Sequence, residues 1–339
     1  MNKKNSLSLV IVFLLGFFVI WNELRKIEME EFLNEVSQVN WFFIGIAVLF
    51  MIISWGIEAR ITQLFLKKTN PDYSFKNACR IPLIQSLFNA ITPFSTGGQP
   101  AQIVALGTSG VDYGVSASVS LMKFVVFQIW IVINFVICLL FGFSWVSDYF
   151  NKLSYLILLG FIIHFVVVFC LLMVMYWYGL TEKIVTAIFN GLSKFKLGQK
   201  LLKYEAPTRA KMDSFYEQSR AMKQQPVLMV KTSLLTILQL VVYYVVPYFV
   251  LLALHTENLN VFKVIVFHAF IIMIISLFPI PGGTGGAEYS FSLLFGTFVT
   301  VQGKLVLAIF LWRIVTYYLG IVLGLVALMV KPTKTGANG

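Results

Sequence analysis

The chain alternates long apolar stretches with short polar segments. A helix needs ~20 predominantly apolar residues to cross a ~30 Å hydrocarbon core. Six stretches are predicted as spans, the first of them short: 7–21, 41–64, 114–144, 153–179, 227–254 and 304–330. The pattern predicts an all-α polytopic membrane protein with about six full spans, organised as a single transmembrane domain over residues 1–339.

Two further apolar regions, 77–108 and 263–300, are each interrupted by a Pro-x-x-Thr-Gly-Gly motif, which begins at Pro93 and again at Pro281. Irregular backbone at membrane depth persists only where protein or a wet cavity satisfies its polar groups. Matching interruptions in two halves of a chain point to a transport site. We therefore predict two re-entrant broken-helix hairpins in an inverted repeat, with halves of about 41–144 and 227–330. The alternative is that each region makes two short crossings.

The polar segments predict an orientation, because cytoplasmic loops of membrane proteins are enriched in Lys and Arg. Basic residues dominate the N-terminus, the 67–80 segment, the 181–226 segment and the C-terminus, whereas acidic residues dominate 22–40. Both termini are therefore expected on the cytoplasmic side, and 181–226 is expected to be a basic cytoplasmic loop. The first hairpin would then enter from the cytoplasm and the second from outside.

Composition excludes an ordinary soluble domain, since AVILMFWYC residues make up 58% of the chain and charged residues 12%. The net charge of +11 is explained by the positive-inside bias, so no nucleic-acid partner is predicted. The three cysteines lack metal-ligand spacing, and no nucleotide-binding or nucleophile motif is found. We predict no cofactor, no metal and no catalytic residue.

Several segments resemble one family: residues 89–100 and 278–288, and Trp312-Arg313 with Tyr317 and Gly320 in the last span. They are similar to the flippase-like integral membrane family, which also forms the N-terminal membrane half of lysylphosphatidylglycerol synthases, the multiple peptide resistance factors. The resemblance covers roughly residues 7–330.

This resemblance implies a lipid flippase of the bacterial cytoplasmic membrane. It would move an anionic or aminoacylated phospholipid, such as lysyl-phosphatidylglycerol, between leaflets and so support resistance to antimicrobial peptides. The implied partners are membrane phospholipids and a separate aminoacyl-phosphatidylglycerol synthase, and a homo-oligomer is an open alternative. Full-length synthases carry a transferase domain after the membrane region, and this chain ends at Gly339. A phosphatidylglycerol lysyltransferase, or its membrane accessory subunit lacking the catalytic domain, remains the alternative, so enzyme activity stays open.

The candidate substrate-binding residues lie in the two interruptions and in nearby spans. Glycine permits positive φ and close approach of a ligand, and a helix that begins after each Gly pair would direct N–H groups and the positive end of its dipole at a phosphate. Glycines that only allow tight helix packing are the structural alternative. The candidates are Pro93, Thr96, Gly97, Gly98, Gln99, Lys123, Pro281, Gly282, Gly283, Thr284, Gly285, Gly286, Glu288, Arg313 and Tyr317.

Charged residues inside the spans carry the strongest expectation of function. Arg313 should face a partner or a cavity, and its planar guanidinium suits a phosphate. Lys123 could act in the same way or could extend to the end of its helix. Glu288 could bind an ammonium of the cargo or form an ion pair with Arg313. A proton relay through His268 is a weaker hypothesis than a satisfied buried histidine.

Overall fold

The structure is a computed structural model that describes residues 29–146, 150–193 and 202–333. Every regular element in these ranges is helical. The α-helices are α1 (Met29–Ser37), α2 (Trp41–Leu66), α3 (Phe75–Ala90), α4 (Gly98–Thr108), α5 (Tyr113–Val146), α6 (Phe150–Tyr176), α7 (Tyr178–Ser193), α8 (Glu205–Lys223), α9 (Pro226–Tyr244), α10 (Val246–Ala253), α11 (Val261–Ile275), α12 (Gly286–Phe295), α13 (Gln302–Arg313) and α14 (Leu319–Met329). A π-helical turn, Ile314–Tyr318, joins α13 to α14.

Five helical segments of the described chain are long and apolar enough to cross a membrane: Trp41–Leu66, Tyr113–Phe141, Leu158–Tyr176, Pro226–Ala253 and Gln302–Met329. They correspond to five of the six predicted spans. The remaining prediction, 7–21, lies outside the described residues. The prediction of an all-helical membrane protein is confirmed.

Each interrupted region consists of two short helices on either side of its break. The 16 residues of α3 and the 11 of α4 flank a 3₁₀ turn at Pro93–Ser95. The 15 residues of α11 and the 10 of α12 flank a 3₁₀ turn at Pro281–Gly283. At ~1.5 Å per residue, each of these helices is shorter than the ~30 Å hydrocarbon core.

Side-chain caps fix where the helices begin. Asn40 accepts a hydrogen bond from the N–H of Phe42 at the start of α2. At the starts of α3 and α11, the side chains of Ser74 and Asn260 accept hydrogen bonds from the N–H groups of Asn77 and Lys263. Such caps satisfy N–H groups that a helix leaves unpaired in its first turn. They also separate each span from the broken pair that follows it.

The described part of the 181–226 segment, which the sequence predicts to be a basic cytoplasmic loop between spans, is largely helical. α7 and α8 occupy most of it, and α7 is joined directly to α6 through Trp177. Arg209 of α8 forms ion pairs with Glu205 and with Glu182 of α7. The apolar residues Met212 and Phe215 are buried, so the helical spacing of apolar positions in α8 provides the packing that a basic loop would lack.

The first broken pair is held against the last helix of the chain. At Gly324 of α14 an added Cβ would lie 2.6 Å from the Leu83 carbonyl oxygen of α3, so the two backbones approach closely. Arg80 donates to the Ala327 carbonyl at 3.1 Å. Asn77 exchanges two hydrogen bonds with the backbone of Thr333, at 2.6 and 3.1 Å. This α3–α14 interface links two elements that are far apart in sequence.

Candidate functional site

The two breaks begin with the same backbone conformation. The two residues after the proline have positive φ in both copies: Phe94 and Ser95 at 52° and 54°, Gly282 and Gly283 at 67° and 60°. The threonine that follows closes the turn, because its hydroxyl donates to the carbonyl of the proline at 3.0 Å in each copy. The repeated threonine therefore has a local structural role in both breaks.

The breaks diverge after the threonine. Thr96 and Gly97 are right-handed, with φ of −80° and −76°, whereas Thr284 is extended and Gly285 has a φ of 90°. The first break is exposed from its proline to its threonine, but Gly283 and Thr284 of the second are buried. One motif thus gives an open break in the first half and a closed break in the second.

Three of the N–H groups expected to face a phosphate are instead bonded within the protein. Gly97 donates to the Thr92 hydroxyl at 2.8 Å and Gly98 to the Asn89 side-chain oxygen at 2.9 Å. Gly285 donates to the Glu288 carboxylate at 2.6 Å. Side chains near each break therefore cap these three N–H groups.

The two breaks contact each other. Tyr317, in the π-helical turn, donates its hydroxyl to the carbonyl of Ala90 at 3.0 Å, at the end of α3 where a helix leaves carbonyls unpaired. The same ring lies over Gly282, where an added Cβ would be 2.4 Å from it. Tyr317 thereby connects the first broken helix to the second break, and Gly282 is required both by its positive φ and by this close approach.

A buried ion pair supports the second break. Arg313 Nε lies 2.7 Å from Glu288 Oε1, and the two residues are 4% and 7% exposed. Arg313 Nη1 donates to the carbonyl of Gly282 at 3.1 Å. Its Nη2 is buried and has no hydrogen-bond partner in the described protein. Of the two roles weighed for Glu288, this geometry corresponds to the ion pair with Arg313.

A second ion pair lies between α5 and α2. Lys123 Nζ is 3.1 Å from Glu58 Oε1, and Lys123 is 8% exposed. Gln239 of α9 donates to the other oxygen of Glu58 at 3.3 Å. The Lys123 side chain therefore points into the protein rather than along its helix. Glu58 accepts from both halves of the chain, through Lys123 and Gln239.

His268 is a satisfied buried histidine. The indole N–H of Trp312 donates to its Nε2 at 3.2 Å, which assigns the ring proton to Nδ1, facing the Tyr244 carbonyl at 3.2 Å. Both ring nitrogens are thus used by the protein. In the part of the chain that the structure describes, no cluster of three or more His, Cys, Asp or Glu residues could hold a metal ion.

Arg313, Lys123 and Glu58 line one cavity of about 400 Å³, which is within the size range of small-molecule sites. Its walls come from α2, α5, α6 and α9, from α13 with the π-helical turn that follows it, and from both interrupted regions. Five of the predicted site residues line it: Gln99, Lys123, Gly282, Arg313 and Tyr317. The other ten candidates form or support the breaks and are not among the lining residues: Pro93, Thr96, Gly97, Gly98, Pro281, Gly283, Thr284, Gly285, Gly286 and Glu288.

The sequence analysis missed several polar residues of the cavity wall. Gln85 and Asn89 lie on α3, and Gln102 lies one turn beyond Gln99 on α4. Their spacings of four and three residues place each pair on one face of its helix. Amide side chains repeated along one face of an apolar helix are the sequence pattern that could have identified this wall.

The fold and site define a helical membrane protein in which two broken helix pairs meet at a polar cavity. Residues 5–324 match the family described as the lysylphosphatidylglycerol synthase transmembrane region, and the chain belongs to that family. The resemblance drawn from the paired motifs is therefore confirmed. The chain is also similar to a UPF0104 membrane protein of Archaeoglobus fulgidus, with 25% identity over 311 residues that cover 86% of this chain and 87% of the relative.

Proposed function

We propose that the protein is a lipid transporter that moves an anionic or aminoacylated phospholipid between membrane leaflets. The observation that carries this proposal is the cavity in which Arg313 and Lys123 converge at the meeting point of the two breaks. Such a cavity gives a charged headgroup polar partners inside the hydrocarbon layer. Without such partners, placing the charge there would cost ~3 kcal/mol of free energy.

The depth of the site supports this proposal. Arg313 lies about 16 Å along the candidate span Gln302–Met329, at ~1.5 Å per residue, and a hydrocarbon core is ~30 Å thick. A binding site near the midplane between two repeats is the arrangement that alternating access requires. A lipid headgroup held there would be about equally far from both surfaces.

The electrostatics of the cavity suit a phosphodiester. Arg313 already uses Nε and Nη1 on Glu288 and Gly282, which fixes the guanidinium plane while Nη2 stays without a partner. A phosphate oxygen is a strong acceptor for that remaining group. Arg313 with Glu288 and Lys123 with Glu58 are each neutral as pairs. A headgroup that carries both a phosphate and an ammonium could therefore bind with compensating partners, and the family description supports lysyl-phosphatidylglycerol as the cargo.

The inverted repeat is part of the same proposal. A long span, a short helix, a break, a short helix and a long span follow one another in both halves, α2–α5 and α9–α14. α2 packs on α9, the breaks pack on each other, and the contacts of α3 with α14 and of α11 with α5 exchange equivalent elements. That exchange is expected of a pseudo-two-fold axis. Because α5 and α6 intervene, α9 would run opposite to α2 if each broken pair enters and leaves on one side.

The proposed setting is the bacterial cytoplasmic membrane, with both termini on the cytoplasmic side. The proposed partners are its phospholipids and a separate aminoacyl-phosphatidylglycerol synthase, and homo-oligomers are compatible with this role. The family description favours a second candidate, lysyltransferase activity itself or an accessory role in it. That candidate predicts formation of lysyl-phosphatidylglycerol from phosphatidylglycerol and a lysyl donor by the purified protein.

The test is leaflet-resolved lipid movement in proteoliposomes. We expect the wild type to move lysyl-phosphatidylglycerol, detected by an impermeant amine reagent, and Arg313→Ala to abolish the movement. Arg60→Ala is the matched control, because Arg60 is exposed and bonds only to the nearby Gln63. The double variant Arg313→Leu/Glu288→Leu removes both charges together and guards against loss caused by an unpaired buried carboxylate.

Each outcome decides between the candidates. Protein-dependent movement that both cavity variants abolish would support the transporter. Absence of movement of lysyl-phosphatidylglycerol and phosphatidylglycerol by folded wild-type protein would overturn it. New lysyl-phosphatidylglycerol, found by mass spectrometry after incubation with lysyl-tRNA, would favour the transferase.

A further inference from the structure

The first half of the chain supplies amide groups to the cavity wall that have no partner within the described protein. Gln102 is fully buried, and neither its Oε1 nor its Nε2 makes a hydrogen bond. Gln85 Oε1, on the adjacent α3, is also buried and unbonded. Both residues line the cavity. Leaving a buried polar group unsatisfied costs ~1–3 kcal/mol, so such groups usually have a partner.

The chemistry of these atoms limits what the partner can be. Two of them are acceptors, Gln85 Oε1 and Gln102 Oε1, and one is a donor, Gln102 Nε2. A phosphate only accepts and would leave both oxygens unsatisfied. An ammonium only donates and would leave the N–H₂ group unsatisfied. Hydroxyl groups donate and accept, so two neighbouring hydroxyls can satisfy all three atoms.

We infer that Gln85 and Gln102 form a subsite for the uncharged hydroxyls of a lipid headgroup, as in a glycerol-type diol. This inference rests on the proposed function and adds a determinant of selectivity to it. Arg313 of the second half binds the phosphate, and the amides of the first half bind the hydroxyl-bearing end. The protein then distinguishes lipids of equal charge by their hydroxyl groups.

The experiment compares two lipids that differ only in those hydroxyls. Phosphatidylglycerol and phosphatidylpropanol carry the same phosphodiester charge and can be prepared with identical acyl chains. We expect the wild type to move phosphatidylglycerol about tenfold faster, the ratio expected from ~1.4 kcal/mol, or about one net hydrogen bond. Gln102→Leu should lower the phosphatidylglycerol rate to that of phosphatidylpropanol and leave the latter within about twofold.

Controls separate the subsite from general damage. Gln102→Leu removes a buried unbonded amide, so the folded protein should be no less stable, which thermal unfolding in detergent can check. Gln85→Leu should give a smaller loss in the same direction, because it removes one unbonded atom whereas Gln102→Leu removes two. Gln38→Leu, at an exposed position directly after α1, should leave both rates unchanged.

The outcomes distinguish this inference from the function on which it rests. Equal wild-type rates for the two lipids would overturn the subsite while transport stands, and would mean that water satisfies the amides. If neither of these lipids nor lysyl-phosphatidylglycerol moves, the proposed function fails, and native mass spectrometry of bound lipid becomes the deciding measurement for the subsite. Preferential retention of phosphatidylglycerol that Gln102→Leu removes would support the subsite, and equal retention would overturn it.

Discussion

The two breaks share a motif and a turn, but the first is exposed and much of the second is buried. The first places Phe94 and Ser95 at positive φ, where side chains cost roughly 1–2 kcal/mol each, and leaves them exposed beside the cavity. The second places glycines at the same two positions, with Tyr317 and Arg313 against Gly282 and Ile275 against Gly283. Glycine is needed where another ring approaches the backbone, and a side chain is tolerated where the break is open. Burial, rather than the turn itself, explains the sequence difference.

Among substitutions that test this difference between the breaks, those at the Arg313–Glu288 ion pair should change the free energy of unfolding most. Arg313→Ala leaves the Glu288 carboxylate buried with only the Gly285 N–H, which should lower the free energy of unfolding by about 3–5 kcal/mol. Arg313→Leu/Glu288→Leu should recover most of that stability, since a buried pair replaced by apolar residues is often neutral. Thermal unfolding in detergent measures both. If the double variant is as unstable as the single one, the lost bonds to Gly282 and Gly285, rather than an unpaired charge, would account for the loss of stability.

A smaller effect is expected at the shared positive-φ position. Gly282→Ala adds a Cβ that would lie 2.4 Å from the Tyr317 ring, in a backbone conformation unfavourable to side chains. Overpacking and the positive φ together should cost about 2–4 kcal/mol. The matched change Phe94→Ala, at the same position of the first break, should alter stability by less than about 1 kcal/mol because Phe94 is 55% exposed. Equal losses at the two sites would contradict the distinction between an open and a covered break.

The smallest expected difference is between the two threonines. Thr284→Val removes a hydroxyl bond in a buried turn and should cost about 1 kcal/mol, whereas Thr96→Val removes the equivalent bond from an exposed turn and should cost less than half as much. Valine keeps the branched shape, so packing changes little. Midpoints of chemical unfolding give the comparison. A larger loss at Thr96 would mean that the first break is also covered, for example by a lipid or a second copy of the chain.

The sequence was sufficient to predict elements whose pattern is local. Five spans, the two breaks and the inward position of Arg313 follow from hydropathy, proline and glycine placement and the cost of a buried charge. The hydrogen bond from the Gly97 N–H to the Thr92 hydroxyl joins residues that are close in sequence. Proximity in sequence does not, however, specify which N–H group donates to a nearby hydroxyl.

The cavity wall depended on tertiary packing. Glu58 meets Lys123 and Gln239 only because α2 packs against both α5 and α9, which no local pattern encodes. Taken singly, Gln85 and Gln102 are not distinguished in the sequence from other polar residues. Their common position becomes visible only when α3 and α4 are seen to line the same cavity. The helices α7 and α8 in the predicted cytoplasmic loop 181–226 have apolar residues at helical spacing, such as Met212 and Phe215, but their partners in the fold are not encoded locally.

The α3–α14 interface has a consequence for how such a protein could change shape. It holds α3 against the last part of the chain along the length of that helix, from the Tyr317–Ala90 hydrogen bond at one end to the Asn77–Thr333 hydrogen bonds at the other. A hinge motion between the two sequence halves would have to break the contacts of the α3–α14 interface. A motion that preserves it must instead carry α3 and α14 as one rigid body, so the moving parts are each assembled from both halves of the chain.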